Sequence, residues 1–505
     1  MIKPKKLYYN KDAREKLLSG INKVAEAVKV TMGAMGRTVV IGLENGNVQV
    51  TKDGVTVARS IHLEDTAENM AATLIKQAAE MTLYMAGDGT TTATLLTQIL
   101  SMLALNEIDK GVSHLAIKKE IEHGVKKAVD LIRQYAHPVK EAEDIEMIAT
   151  ISANNDKEIG SLIAQAMKAV NMDGEITVQD NYGRQTTVET VEGMSINAGY
   201  VSGNFVTNQR KKTAELNNPY VLIYDMKIVR LDELLPILEK VVTTGRELLI
   251  LCENMEGEAL NTTVVNHLQG KLKVCVCKLP QTGMIKKDLM MDVAMLTGAK
   301  IISHEYGLSL RTATLEHLGT CERVEVGQYN STFLGGGGKK EDIEDRKLII
   351  REQMEQEDND MVKEVYRKRL SNLTNGVAII KVGGYTPSEI GEKKDRIDDA
   401  LKAAKAAIEE GYIYGGGSTA YCIGKSIGGL VGLALQAPMN QILTNAGLNT
   451  YFGELHHGTG FNAITGELVN MKEHGIIDSA KVLRVALENA ASVALMVLST
   501  ECLID

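Results

Sequence analysis

Residues Ala86-Gly87-Asp88-Gly89-Thr90-Thr91-Thr92-Ala93-Thr94 lie between two segments of helical character. Glycine lets a backbone approach a ligand closely, and the first amides of a helix are unsatisfied and partly positive, so they favour phosphate oxygens. Three consecutive threonine hydroxyls add donors. Asp88 beside such phosphates would repel them unless a divalent cation bridges the two, and Mg²⁺ is the usual one. Asp-Gly is also a common turn and Thr a common helix cap, but the threonine run that follows favours phosphate binding.

Other segments are weaker taken singly. Thr31-Met32-Gly33-Ala34-Met35-Gly36-Arg37 closes the first helical stretch and reads as a C-cap plus a turn. Thr51-Lys52-Asp53-Gly54 reads in isolation as a hairpin turn. Tyr414-Gly415-Gly416-Gly417-Ser418 either contacts a nucleotide or stops a helix. Gly335 to Lys340 fails as a P-loop, because Phe333 and Lys340 occupy positions that need Gly and Ser/Thr. Asp398 and Asp399, in a stretch rich in Lys, Arg and Asp, have on pattern alone the look of solvated surface groups. Leu234, Leu235, Ile237 and Leu238, with Leu260, Val264 and Val265, form apolar stripes on two helices, and such stripes are more often core than surface.

The elements that must position these residues follow from composition and periodicity. The 505 residues suffice for about three domains. A net charge of −9 disfavours nucleic acid or an anionic membrane as the main partner. With no Trp and four Phe, the core is built from aliphatics, Ala and Met. Cys252, Cys275, Cys277, Cys321, Cys422 and Cys502 are scattered and read as reduced packing residues rather than disulfides or metal ligands. Neither HExxH nor CxxC occurs, so a zinc site is not expected. The basic start runs into an amphipathic pattern instead of a signal-peptide core, and no run of about 18 apolar residues occurs, so a soluble cytoplasmic protein is expected.

Helical spacing covers Asp12 to Met32, Asp65 to Ala86, Thr90 to Leu105 and Ala116 to Tyr135, with short strands at Thr38 to Gly42 and Asn47 to Thr51. Between Glu192 and Asn375, β-rich runs such as NPYVLIYD, RELLILC and KLKVCVCKL alternate with the helical LDELLPILEKVV and GEALNTTVVNHL, an α/β texture. Lys339 to Leu373 reads as two antiparallel helices with a break at Glu357 to Asp360. Ala-rich helices return at Lys393 to Glu410 and Ser479 to Leu498. The α/β domain therefore reads as an insertion into a discontinuous helical one.

Taken in order, the motifs closely resemble the group I chaperonins, the bacterial, GroEL-like sixty-kilodalton ring chaperones. The resemblance covers nearly the whole chain and is carried by VKVTMGAMGRTVV, TKDGVTVAR, LEDTAENM, AGDGTTTAT, TISANND, VEGM, EGEALNTTVVN, VAIIKVGG, RIDDALKAAKAAIEEG, GGGS, GFNAITGE, NMKEHGIIDSAKVLRVALENAASVA and TECLID. It implies a multidomain α/β fold. A mostly helical, discontinuous equatorial domain (1–134 and 410–505) would bind nucleotide and make ring contacts. A small α+β intermediate domain (135–191 and 377–409) would join it to an inserted α/β apical domain (192–376) that binds unfolded polypeptide. Gly193 and Gly376 match the apical hinge, where glycine absorbs large dihedral changes.

Carried over residue by residue, the resemblance makes Asp88 the Mg²⁺ ligand and Gly89, Thr90, Thr91 and Thr92 phosphate binders. Thr31, Met32 and Gly33 match the loop under the ATP or ADP, Thr31 and Lys52 lie near the family's K⁺ and phosphate positions, and Gly416, Asn462, Ala463 and Asp478 surround base and ribose. Asp399 corresponds to the aspartate that acts on the attacking water, with Asp53 helping to orient it; here the resemblance overrides the surface reading of Asp399. Tyr200, Phe205, Leu235, Leu238, Leu260, Val264 and Val265 match the apical residues that hold client polypeptide and a co-chaperonin's mobile loop. An ATPase cycle in a homo-oligomeric, heptameric ring that assists folding is the implied activity; a nucleotide-binding holdase or scaffold with little turnover is the alternative.

The chain departs from the family pattern at several points. Ala34 and Met35 replace the usual Pro-Lys, Asn204 replaces an apical aromatic, and Ala198 and Pro387 occupy the two positions of an interdomain ion pair. The stretches Gly424 to Met439 and Asn449 to Gly460, near the contacts between stacked rings in the family, are shorter, which leaves one ring or two open. The sequence stops at Asp505 without the usual Gly-Met-rich tail. A divergent paralogue or a virus-encoded copy fits these changes.

Overall fold

The computed structural model describes residues 5–42, 48–153, 155–170, 172, 174–181, 183–209, 211–279, 283–357, 359–451 and 453–504. Asn47, Asn154 and Asp358, each part of a segment singled out above, lie outside the described residues, as does the side chain of Pro387. The chain divides into two compact units, Met1–Gln165 with Gly384–Asp505, and Ala166–Gly383. The second is inserted into the first, as the change of texture along the chain suggests.

The first unit is helical. On helix Asn10–Lys29 the buried positions Ala13, Leu17, Gly20, Ile21, Val24, Ala25 and Val28 recur every three or four residues, the period that gives a helix one apolar face. That face packs on Thr66–Ala86, which offers Ala67, Ala71, Ala72, Ile75, Ala78 and Ala79. Small residues let the two backbones meet: a Cβ on Gly20 would stand 2.1 Å from the carbonyl oxygen of Glu68. Burying each Ile or Leu here stabilises by roughly 1.5–3 kcal/mol, whereas an exposed ion pair such as Lys11–Glu15 contributes about 0–1 kcal/mol. Apolar burial therefore decides the packing.

Helix Ala480–Ser499 is long and apolar enough to cross a membrane. Its stripe of Leu483, Leu487, Ala490, Ala491, Ala494 and Leu498 is buried in a cluster with Leu96, Leu100, Ile117, Ile121 and Ile132 of helices Thr90–Asp109 and His114–Tyr135, which accounts for its composition as that of a core helix. Short antiparallel pairs complete the unit, Leu7–Tyr9 with Cys502–Ile504, Val39–Gly42 with Val48–Thr51, Tyr412–Tyr414 with Ile477–Ser479, and Thr459–Phe461 with Leu468–Asn470.

In the second unit, Tyr220–Tyr224, Leu248–Cys252 and Val274–Lys278 run parallel, with Ile301–Ile302 beside the first. Helices Leu231–Thr244 and Gly257–Leu268 make the crossovers. Every residue of Leu248–Cys252 is buried, as expected of a strand covered on both faces, which explains runs without polar alternation. An antiparallel part, Gly193–Ile196, Ser331–Gly336, Gly319–Val326 and Ala214–Asn217, extends the same nine-stranded sheet. A separate three-stranded sheet places Val377–Val382 between Glu175–Asp180 and Thr187–Val191. Helices Lys340–Gln356 and Asp360–Asn375 form the expected pair. Arg346 and Arg369 both bond Asp288 and the fully buried Asp292, so these four charges are paired.

Cys252, Cys275, Cys277 and Cys321 are buried and free. Burial pushes the Cys252 thiol far above its ordinary value and that of Cys277 up to about 12, so neither is a nucleophile at neutral pH. The Gly335–Gly338 run, rejected above as a phosphate loop, packs tightly instead. A Cβ on Gly337 would stand 2.1 Å from Thr320 Oγ1, and one on Gly338 1.9 Å from the Met295 carbonyl.

Candidate nucleotide-binding site

The site begins where helix Thr66–Ala86 ends. Gly87 caps it with φ +79°, and Gly89, with φ +86°, is the N-cap of helix Thr90–Asp109. Both glycines are required by crowding as well as by φ: a Cβ on Gly87 would meet Lys402 Cβ at 2.0 Å, and one on Gly89 would meet Val482 Cγ1 at 2.6 Å. A glycine N-cap supplies no side chain to the first turn, so the leading amides at Thr90–Thr92 keep their donors for an anion.

Two further segments meet this helix start. Thr51-Lys52-Asp53-Gly54 is not a hairpin turn: Asp53 caps helix Gly54–Ser60, its carboxylate accepting from the Val55 amide at 3.2 Å and the Thr56 amide at 3.0 Å. Asp-Gly served a helix start here, because residues 54–60 bury Val55, Val57 and Ala58. A Cβ on Gly54 would stand 2.3 Å from Thr91 Oγ1, so the two helix N-termini touch. Thr31 Oγ1 lies 3.5 Å from Thr91 Oγ1 and donates to the Val28 carbonyl at 2.8 Å. Its loop turns at Gly33, φ +83°, under Ile442. Asn445 Nδ2 donates to the carbonyls of Lys29 and Met32, each at 2.9 Å. Met32 is buried and Lys52 exposed.

Helix Ala437–Asn445 supports a second glycine loop. A Cβ on Gly417 would stand 2.6 Å from the Met439 amide nitrogen, and one on Gly415 3.0 Å from Asp478 Cγ. Gly416, φ +60°, faces Met471 and the Phe461 carbonyl. Asn462 and Ala463 follow at the tip of the hairpin after Thr459–Phe461, where Asn462 Oδ1 accepts from the Ile464 amide at 3.0 Å. Asp478 sits on strand Ile477–Ser479. Burial, then the charge of Asp88, pushes its carboxyl up to about 7, against a backbone hydrogen bond from Gly416.

Asp399 reaches this place from helix Pro387–Glu410. Its side chain is 36% exposed, with Lys402 Nζ 3.9 Å from Oδ1. The surrounding protein pushes its carboxyl up to about 8; Lys402 opposes that shift, and the charges of Asp53, Asp88 and Asp398 add to it. Asp88 Oδ1 accepts from the Gly89 amide at 2.5 Å and Oδ2 from Ser152 Oγ at 2.7 Å. Asp53, Asp88, Asp399 and Asp478 thus share one neighbourhood with excess negative charge. No group of three or more His, Cys, Asp or Glu among the described residues is arranged to hold a metal alone. A divalent cation there needs oxygens from elsewhere, and polyphosphate supplies them. Carboxylates beside the open N-terminus of helix Thr90–Asp109 fit a cation–phosphate pair better than either alone.

The profile of the TCP-1/cpn60 chaperonin family matches residues 24–505. The chain belongs to that chaperonin family. The chaperonin gp146 from the bacteriophage EL 2 (Pseudomonas aeruginosa), crystallised in the presence of ATP-BeFx, has the same fold. In one crystal form the TM-score is 0.74 at 24% identity, over 99% of this chain and 98% of that one. In another it is 0.66 at 23% identity, over 99% of each.

In this chaperonin the residues expected to hold polypeptide lie in the inserted unit and divide by burial. Leu235 and Val265 are 44% and 50% exposed, Tyr200 and Leu260 are half-buried, and Phe205, Leu238 and Val264 are core. Phe205 stacks edge-on against His267 at 5.5 Å. Periodicity named these helices but not their outward faces, which also carry Val242 and Leu268. Asn204 is exposed, where an aromatic would enlarge that apolar surface. Gly193 is an extended strand residue whose Cβ would meet the Phe333 carbonyl at 2.3 Å; Gly376, φ +65°, would meet that of Val191 at 2.4 Å.

Lys402, Ser152, Asn445 and helix Ala437–Asn445 were missed by reading the sequence. The signal for Ser152 was its place inside TISANND and that for Lys402 its i, i+3 spacing from Asp399; Asn445 had none, since its partners are distant in the chain.

Proposed function

We propose that this chaperonin is a Mg²⁺-dependent ATPase that binds non-native polypeptide and assists its folding. The observation that carries the proposal is the convergence of Asp399 with Asp53 and Asp88 beside the open N-terminus of helix Thr90–Asp109. The turn at Gly89 admits the phosphates, and the amides at Thr90–Thr92, the threonine hydroxyls and Lys52 bind their oxygens; the loop Thr31–Gly33 lies beneath them; Gly416, Asn462, Ala463 and Asp478 enclose base and ribose. Asp88 would hold Mg²⁺, which would supply neutralisation of the phosphate charge, and the segments at Thr31 and Lys52 would accommodate a K⁺ ion supplying more of the same. Asp399 accepts the proton of the attacking water and Asp53 orients that water. Positioning and charge neutralisation are what phosphoryl transfer demands.

The equatorial, intermediate and apical domains comprise 1–134 with 410–505, 135–191 with 377–409, and 192–376. Gly193 and Gly376 serve as the apical hinge, and nucleotide state shifts the population of apical positions. Client segments bind the apolar surface around Leu235 and Val265, with Tyr200 and Leu260 at its margin. Phe205, Leu238 and Val264 support it from below. Apolar burial is non-directional, which lets one surface take many sequences. The working form is a homo-oligomeric, heptameric ring in the cytoplasm, and whether a co-chaperonin closes it is left open. The phage chaperonin crystallised with ATP-BeFx supports the nucleotide assignment by likeness of fold.

The test is refolding of a chemically denatured client by the purified assembly with ATP, ADP or no nucleotide. Capture in all three with release of active client only with ATP is expected. Capture without any ATP-dependent release would turn the reading toward a holdase.

A further inference from the structure

The motif TISANND has no role in the cycle just described, yet one of its side chains reaches the centre of the site. Helix Ala142–Ser152 ends there, and Ser152 Oγ donates to Asp88 Oδ2 at 2.7 Å. The other oxygen, Oδ1, accepts from the Gly89 amide at 2.5 Å. The Gly89 bond is local and comes with the turn. The Ser152 bond comes from another helix and removes the remaining freedom of the carboxylate. A serine has one proton to give. Thr82, Thr94 and Thr97 in nearby helices return theirs to the carbonyl four residues back, whereas Ser152 gives its proton to Asp88.

The helix that delivers Ser152 is itself fixed at two places. Ile148 shares an apolar cluster with Ala403 and Ala407 of the helix bearing Asp399, and with Ile477 beside Asp478. Asp144 pairs with Lys472 at 3.7 Å. The hydroxyl is therefore positioned by the elements that carry Asp399 and Asp478.

We infer that Ser152 is a positioning residue for Asp88: its hydrogen bond holds the carboxylate in one orientation and so sets the site's affinity for the divalent cation that accompanies the nucleotide. This rests on the reading of Asp88 as a cation ligand. Removing a hydrogen-bond partner of a metal ligand typically costs 10–100-fold in metal affinity, a range of about 1.4–2.8 kcal/mol. Because the donor belongs to the helix packed against the Asp399 helix, a shift of that pair would also release Asp88.

The experiment measures ADP binding calorimetrically to the full-length assembly across a Mg²⁺ series and in EDTA, for wild type, Ser152→Ala, Ser152→Thr and Asp88→Asn. Ser152→Ala is expected to raise the Mg²⁺ concentration for half-maximal enhancement of ADP affinity by about tenfold, with affinity in EDTA unchanged; Ser152→Thr, which keeps the hydroxyl, is expected to restore the wild-type midpoint. A wild-type Mg²⁺ midpoint in Ser152→Ala, or an equal loss of affinity in EDTA, overturns the inference while leaving Asp88 as a ligand. If Asp88→Asn keeps the full Mg²⁺ dependence, the reading of Asp88 fails and the inference with it.

Discussion

A Cβ placed on Gly87 would stand 2.0 Å from the Cβ of Lys402. Gly87 ends the helix before the turn proposed to bind phosphate, and Lys402 lies three residues beyond Asp399 on the helix Pro387–Glu410. The turn and the helix that carries the proposed base therefore meet in direct backbone proximity, with no side chain to separate them.

Gly87→Ala tests that contact. The variant meets both the φ of +79° and the collision, and a non-glycine residue in the left-handed region alone costs about 1–2 kcal/mol. Relief requires the Asp399 helix to move away. The account expects a fall in kcat of at least about tenfold, the effect of a small misplacement of catalytic groups, with a smaller change in nucleotide affinity. Steady-state hydrolysis alongside equilibrium ADP binding checks this; equal losses in both would point to a damaged pocket instead.

The crowded carboxylates make stability depend on pH. Asp399 and Asp478, raised to about 8 and about 7, bind protons more tightly folded than unfolded, where an aspartate titrates near 3.8. Their contribution is fully present below the unfolded value and is lost as pH rises through the folded ones. The melting temperature of nucleotide- and metal-free protein is thus expected to fall between pH 6 and pH 8.5 on their account. Asp399→Asn, which cannot ionise, should melt increasingly above wild type across that window. A difference between the two that stays constant with pH would show that Asp399 is not crowded in this way.

Burial separates the residues proposed to hold client into two classes of variant. Leu235→Glu and Val265→Glu place charge on exposed positions, and are expected to lose capture of a denatured client while melting as wild type does. Phe205→Ala opens a cavity at a fully buried site, with a cost of about 3–5 kcal/mol. Light scattering of an aggregating client and thermal melts distinguish them. Undiminished capture by both glutamate variants would place the client surface elsewhere.

Sequence patterns revealed what is local. The Gly-Asp-Gly-Thr run declared its turn and helix start because glycine, cap and hydroxyls are adjacent, and Asp65 capped the helix that its spacing implied. Thr51–Gly54 was misread because Asp-Gly suits a turn and an N-cap equally, and only the burial of Val55 and Val57 decides. Asp399 looked like a solvated charge in a polar stretch; what distinguishes it is the company of Asp53 and Asp88, brought there by folding. Asn445 and Ser152 act on partners far along the chain, so no periodicity could expose them. For Phe205 and Val264 the apolar type was legible, but which face of the element meets solvent is a property of the packed unit.

The central claim is that Asp399 acts on water beside a bound Mg²⁺–ATP. The most direct measurement is Mg²⁺-dependent ATP hydrolysis by the size-checked assembly, wild type beside Asp399→Ala, with nucleotide affinity measured on the same samples. The account expects steady turnover by wild type and a loss of at least about a hundredfold in the variant, the usual scale for removing a general base, with affinity retained. Undiminished hydrolysis in Asp399→Ala, or none in intact wild type that binds ATP, would contradict it.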